Sequence, residues 1–189
     1  MKGHLHQKLR SVRDVLVWKL DGLSEYDVRR PLTSTGTNLL GLVKHCAVSE
    51  SRYLGDVFGR PFPEPLPRWE DPTAEGTDLW ATADETRDAI IGLYQRVWDH
   101  ADATIDALDL TSTGYVPWWD EEVPLFNVML HVLSETSRHA GHADILREGL
   151  DGSVGTHRTG PARHGQDEAY WRERRSVIER AARAATESS

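Results

Sequence analysis

The apolar residues of this chain return at steps of three and four, the period of a helix and not of a strand, and that feature confines the fold before composition is considered. Leu5, Leu9, Val12, Leu16, Leu20 and Leu23 mark a first segment. A second opens at Thr37 or Asn38, either of which can cap a helix, and its stripe of Leu39, Leu42, Val43, Cys46, Tyr53, Leu54 and Val57 runs to Gly59. Thr82 and Glu85 have capping-box spacing ahead of a third stripe, Ile90, Leu93, Tyr94, Val97, Trp98, Ala101, Ile105 and Leu108. Pro124 suits the first turn of a fourth helix, which reaches a natural glycine cap at Gly149. Asp167 can cap a final helix carrying Tyr170, Val177, Ile178 and Ala181. With no strand-like alternation and no internal repeat, the expectation is an all-α four-helix bundle with an additional C-terminal helix.

The connections are as informative as the helices. Polar residues from Ser24 lead through Pro31 to Gly36, and residues 111–122 read as a loop before the fourth helix. Pro61, Pro63, Pro65, Pro67 and Pro72 remove too many donors for a regular element between residues 60 and 80, and a loop of that length is usually functional or a cover, here with Phe62, Leu66 and Trp69 as apolar anchors. After Gly152 a polar stretch to Gly165 reads as a mobile crossing segment. Residues 1–152 are expected to form the bundle, and 153–189 a crossing loop and helix of the same domain.

A chain of 189 residues suffices for one hydrophobic core and is short for two. No apolar run approaches the roughly 20 residues that span a bilayer, and the N-terminus lacks the apolar stretch of a signal peptide, so a cytoplasmic address is the default. A net charge of -8 argues against nucleic acid as a partner. The Arg-rich tail, residues 172–183, interleaves Glu with Arg and reads as a solvated face. Cys46 is the single cysteine, so no internal disulfide forms and any metal must be held by histidines and carboxylates. On the apolar stripe, Cys46 itself reads as a small core residue.

Four such groups, His131, Glu135, His139 and His142, crowd the fourth helix. At about 100° per residue, His139 falls near the middle of the stripe made by Leu125, Val128, Met129, Val132, Thr136, Ala143 and Leu146, with Glu135 at its edge and His142 and His131 further round. An i, i+4 pair can reach one ion from a rigid backbone. A third donor must come from elsewhere: His45 lies beside the stripe of the second helix, whereas His100 is on the polar side of the third. Three protein donors and an open position is the pattern of catalytic zinc, and such a site also accepts nickel, iron or manganese. The competing account is a hydrogen-bonded core pair of His139 and Glu135.

The segment from Leu130 to Glu148, followed by Leu150-Asp151-Gly152, resembles the last bundle helix of the DinB-like superfamily, in particular the actinobacterial branch that includes mycothiol-dependent enzymes. Pro31-Leu-Thr33-Ser-Thr-Gly36-Thr37-Asn-Leu-Leu-Gly41-Leu-Val-Lys-His45 is similar to that branch's entry into its second helix. The resemblance covers about residues 5–152. It implies a divalent metal, zinc first, held by His45, Glu135 and His139. Many relatives carry His where Glu135 stands, and the mycothiol-related branch resembles this chain in using Glu. His142 falls where other members have Gln, which makes it a supporting or substrate-facing group.

The resemblance further implies transfer or isomerisation of a small electrophile with a low-molecular-weight thiol such as mycothiol as cosubstrate. Arg138 and Arg147 could pair with a carboxylate or sugar hydroxyls of the thiol, or be plain solvated arginines. Trp118 and Trp119 could wall the site. Asp144 and Glu50 are candidates to orient the metal-binding histidines. The alternatives are a metal-dependent hydrolase and a non-catalytic bundle that holds a metal or ligand. The expected partners are small molecules, without nucleic acid or membrane, and the expected assembly is a monomer or homodimer.

Overall fold

Helix α1 (Lys2–Trp18) buries Leu9 and Leu16 on one face together with the polar His6 and Arg13, and buries Trp18 at its last position. In this computed structural model, which describes residues 1–156 and 166–187, the chain next makes a turn with Gly22 at φ 73° and enters a short helix α2 (Glu25–Arg29). The first helix is therefore shorter than its apolar spacing implied, and the polar connection holds a helical turn of its own. Ser24 starts that turn by accepting the Asp27 N–H at 3.0 Å.

Helix α3 (Leu39–Tyr53) begins where expected, Asn38 accepting the Gly41 N–H at 2.7 Å, but it stops at Tyr53. A 3-10 turn, Asp56–Phe58, carries the chain on to Gly59, whose φ of 65° ends it. Helix α4 (Arg87–Ala107) starts later than the capping-box spacing suggested. Glu85 does accept the Thr82 N–H at 2.8 Å, yet the helix is capped by Thr86, which accepts from Ala89 N–H at 3.1 Å.

The expectation of no strands needs correction. Residues 111–122 contain most of an antiparallel hairpin, β1 (Thr113–Val116) against β2 (Glu121–Pro124), with Thr113 opposite Pro124 and Val116 opposite Glu121. It is seated on the 3-10 turn after α3 so closely that a Cβ on Gly114 would lie 2.5 Å from the Val57 carbonyl oxygen. β2 passes directly into α5 (Leu125–Asp151), with Pro124 at the capping position and not inside the first turn. Helix α5 runs through Gly149, and the terminating residue is Gly152 at φ 77°, its N–H on the Glu148 carbonyl at 2.9 Å. Helix α6 (Glu168–Glu187) is entered through Asp167, which accepts the Tyr170 N–H at 2.8 Å. Most of the stretch expected to be a mobile crossing segment, residues 157–165, lies outside the described residues. No helix among the described residues is long and apolar enough to cross a membrane.

Helix α1 packs against α4 and α5, and α3 packs against the same two, so these four helices close a ring around a common interior. That interior has two apolar halves. One gathers Leu16, Leu20, Val43, Cys46, Ala47, Tyr94, Val97 and Ala143; the other gathers Leu9, Tyr53, Leu54, Ala101, Ile105, Met129 and Val132. On three of these helices polar residues occupy the interval between the halves, Arg13 on α1, Glu50 on α3, and Glu135 and His139 on α5, and Asp102 of α4, just past Ala101, reaches Arg13 at 2.7 Å. A polar layer thus crosses the bundle, where each group must find a partner or a function.

Candidate metal centre

Helices α3 and α5 bring His45, Glu135 and His139 together in this layer. The His45 and His139 rings stand edge to face with centroids 4.8 Å apart, and His139 Nε2 lies 3.2 Å from Glu135 Oε2. Two donors about 2.1 Å from one zinc at the tetrahedral angle would be separated by roughly 3.4 Å, so this pair already has the spacing of two ligands on a shared ion. Burial, and after it the charge of His45, hold the His139 pKa down to about 4 against the pull of Glu135. The imidazole is therefore neutral at physiological pH, as a ligand must be. Its Nδ1 is buried with no hydrogen-bond partner among the described residues. Among those residues, no three His, Cys, Asp or Glu side chains converge as a preformed metal-binding group. In kind, and in the spacing of His139 from Glu135, the donors nonetheless fit a divalent ion.

His45 is held by a residue that sequence reading missed. Its Nδ1 lies 2.7 Å from Asp78 Oδ2, and the Asp78 side chain is only 7% exposed. Burial alone would raise the Asp78 pKa, but the hydrogen bond and charge of His45 bring it below the ordinary carboxylate value, so the group is anionic. Asp78 sits in a 3-10 turn, Thr77–Leu79, within the loop after the prolines. That turn is clamped to α3. Asn38 Nδ2 donates to the Leu79 carbonyl at 3.3 Å, and Lys44 Nζ donates to the Trp80 carbonyl at 3.1 Å. Gly41 admits the Leu79 carbonyl where any Cβ would stand 2.0 Å from its oxygen.

The groups expected to support the metal divide in two. His142 remains beside the centre, its ring centroid 5.5 Å from that of His139, and Arg138 is exposed on the same helix. Asp144 and Glu50 are engaged elsewhere. Asp144 Oδ1 meets the fully buried Lys19 Nζ at 2.5 Å, and Glu50 takes both Nε and Nη2 of Arg13. Arg147 is likewise committed, to Asp151 and to the carbonyls of Lys19 and Asp21 at 2.8 and 2.7 Å, which leaves nothing for a substrate. Cys46 is buried and its thiol pKa is driven up, first by burial and then by the charge of Glu50, so it is no nucleophile.

Trp118 belongs to an aromatic wall toward the N-terminal part of α5. Its Nε1 donates to the Tyr53 hydroxyl at 2.7 Å, and Tyr53 faces His131 and Trp119 at centroid distances of 4.5 and 5.4 Å. His131, which the helical wheel placed away from the interior, is thus packed among rings, and burial lowers its pKa. Glu135 is near enough to bear on both Tyr53 and His131 electrostatically. On the other side, a cavity of about 650 Å³ opens on His139 and His142 and is walled by Thr35, Thr37, Leu79 and Trp80 among others. The cluster therefore lies between an aromatic wall and a cavity large enough for a small organic molecule.

No curated protein matches the chain. The sequence model of the family described as mycothiol-S-transferase matches residues 4–152, from the first turn of α1 to the glycine that ends α5, and so takes in the four bundle helices and the whole histidine–carboxylate cluster. Matched over most of its length, and folded as the helical bundle that its DinB-like resemblance implied, the chain belongs to the mycothiol-S-transferase family.

Proposed function

We propose that the protein is a metal-dependent transferase that joins the thiol of mycothiol to a small electrophile, with His45, Glu135 and His139 as the metal ligands and zinc as the first choice of ion. The single observation that carries this reading is the pairing of His139 with Glu135 at ligand spacing, opposite the His45 ring, at the mouth of the cavity. A divalent ion held there would depress the pKa of a thiol occupying its open position and so supply thiolate near neutral pH.

The chain's own residues do the rest. With Cys46 buried, the nucleophile has to come from outside, and the cavity is where it enters. Thr35 and Thr37 offer polar groups to a hydroxyl-rich thiol, Leu79 and the half-exposed Trp80 offer it apolar faces, and the neutral His139 and exposed His142 sit beside the reacting end. The aromatic wall of Tyr53, Trp118, Trp119 and His131 shields the opposite side from water and gives the electrophile a surface to pack on.

The test is to load the purified protein with zinc or cobalt and incubate it with a model electrophile, with and without mycothiol. Mass spectrometry should find the thiol adduct only when metal and mycothiol are both present. In the cobalt form, mycothiol should produce a sulfur-to-metal absorption band that is retained in Cys46→Ser. Metal-loaded protein that forms no adduct and no band with mycothiol overturns the proposal.

A further inference from the structure

The proline-rich loop is more than a cover, because among the described residues it contributes the one side chain that touches a metal-ligand candidate from outside α3 and α5 at hydrogen-bond distance, Asp78 on His45. A histidine can ligate through either ring nitrogen, and the nitrogen it offers is decided by the partner of the other. An anionic carboxylate can only accept, so the Asp78 contact keeps the proton on Nδ1 and leaves the Nε2 lone pair for the ion. We infer that Asp78 is a positioning residue for the metal centre, fixing the tautomer and ring orientation of His45, and that Gly41 is what allows the loop to deliver it. The inference rests on the proposed ligand set.

Three contacts make the delivery specific. Gly41 lies one turn before His45 on the same face of α3, so the close approach of the Leu79 backbone at Gly41 sets the height of Asp78 over the histidine ring. Asn38 and Lys44 hold the carbonyls of Leu79 and Trp80 on either side of that approach. Leu79 and Trp80 also wall the cavity, so the segment that orients the ligand is the segment that shapes the substrate space. A side chain at position 41 would push all of this away from the helix while leaving every ligand in place.

The experiment compares wild type with Asp78→Asn, Asp78→Ala and Gly41→Ala, with circular dichroism and thermal melts reporting the fold. Nitrogen-15 NMR of the imidazoles in metal-free protein should show His45 protonated on Nδ1 in wild type and a tautomer mixture in Asp78→Ala. Zinc affinity, measured against a chromophoric chelator, should fall about 10- to 100-fold in Asp78→Ala. Asp78→Asn, which can still accept from Nδ1, should lose less, and Gly41→Ala should lose affinity although it alters neither ligand nor carboxylate. If folded Asp78→Ala keeps both the wild-type tautomer and the wild-type affinity, the inference is overturned. Should wild type bind no zinc, the proposed ligand set fails, and the His45 tautomer in metal-free protein then decides whether Asp78 orients the ring.

Discussion

Two polar assemblies share the layer that divides the apolar halves of the bundle, and α3 serves both, with Glu50 in one and His45 in the other. In the first, all three guanidinium nitrogens of Arg13 face carboxylates, Nε and Nη2 on Glu50 and Nη1 on Asp102 at 2.7 Å, and Asp102 is further engaged by Arg10 and His6. In the second, His139 keeps a buried nitrogen without a partner among the described residues, and its other nitrogen stands 3.2 Å from Glu135, a distance suited to two ligands of one ion. Buried charge that is fully paired serves architecture, whereas the open donors are those the proposed ligand set uses. The closed pair is sealed from solvent, with both side chains 1% exposed, whereas His139 and Glu135 keep 15% and 34%.

The largest effect should come from breaking the closed assembly. Arg13→Ala leaves the Glu50 carboxyl unpaired in the core and should cost about 3–5 kcal/mol in urea denaturation, whereas Arg13→Met combined with Glu50→Leu should restore most of it. A loss below about 1 kcal/mol in the single variant would show that the pair is not the closed unit described. Next comes the open assembly. His139→Ala should abolish tight metal binding, a loss of more than about 3 kcal/mol in binding free energy, while the helices remain formed. His142→Gln should be much milder, and equal metal loss in both would remove the distinction between ligand and neighbour.

A smaller effect separates the assemblies by pH. The His139 pKa lies at about 4 in the folded protein and near 6.5 when unfolded, so between these values the unfolded chain takes up a proton that the native imidazole refuses. Stability of the metal-free protein is complete above about pH 6.5 and is lost as pH falls toward 4, by at most about 3 kcal/mol from this group. His139→Gln should flatten that part of the profile; an unchanged slope would assign it to other groups. Smallest of all, Cys46→Ser should leave thiol-dependent turnover and the cobalt band intact and shift stability by about 1–2 kcal/mol, the cost of a buried hydroxyl in place of a thiol. Loss of turnover in that folded variant would make the protein's own sulfur part of the chemistry.

What could be read in advance follows from range. The cap at Asn38, the cap at Asp167 and the inward position of His139 are local patterns within one or two helical turns, and the structure has all three. The hairpin was hidden because strands of four residues are too short to display alternation, and because β1 also rests on the turn after α3, a contact distant in sequence. Thr86 displaced the Thr82 cap, a shift of a few residues between two competent side chains. Asp78 sits 33 residues from His45 in a loop without periodicity, and His131 gains its aromatic neighbours from α3 and the hairpin. A long-range contact of that kind leaves no local trace. Only the abundance of prolines marks the loop as having a role, and the need for glycine at position 41 comes from the Leu79 carbonyl, distant along the chain.

The direct passage of β2 into α5 fixes how this chain can change length. There is no slack residue between the hairpin, anchored on the turn after α3, and the helix that carries Glu135 and His139. Inserting or deleting one residue between positions 125 and 134 would rotate both side chains by about 100° and aim them into a neighbouring helix or into solvent. The first third of α5 thus acts as a ruler with its zero mark set by the sheet. Length variation would be absorbed instead at the far end of the helix, beyond Gly152, or among the prolines ahead of Trp69, where no register is counted.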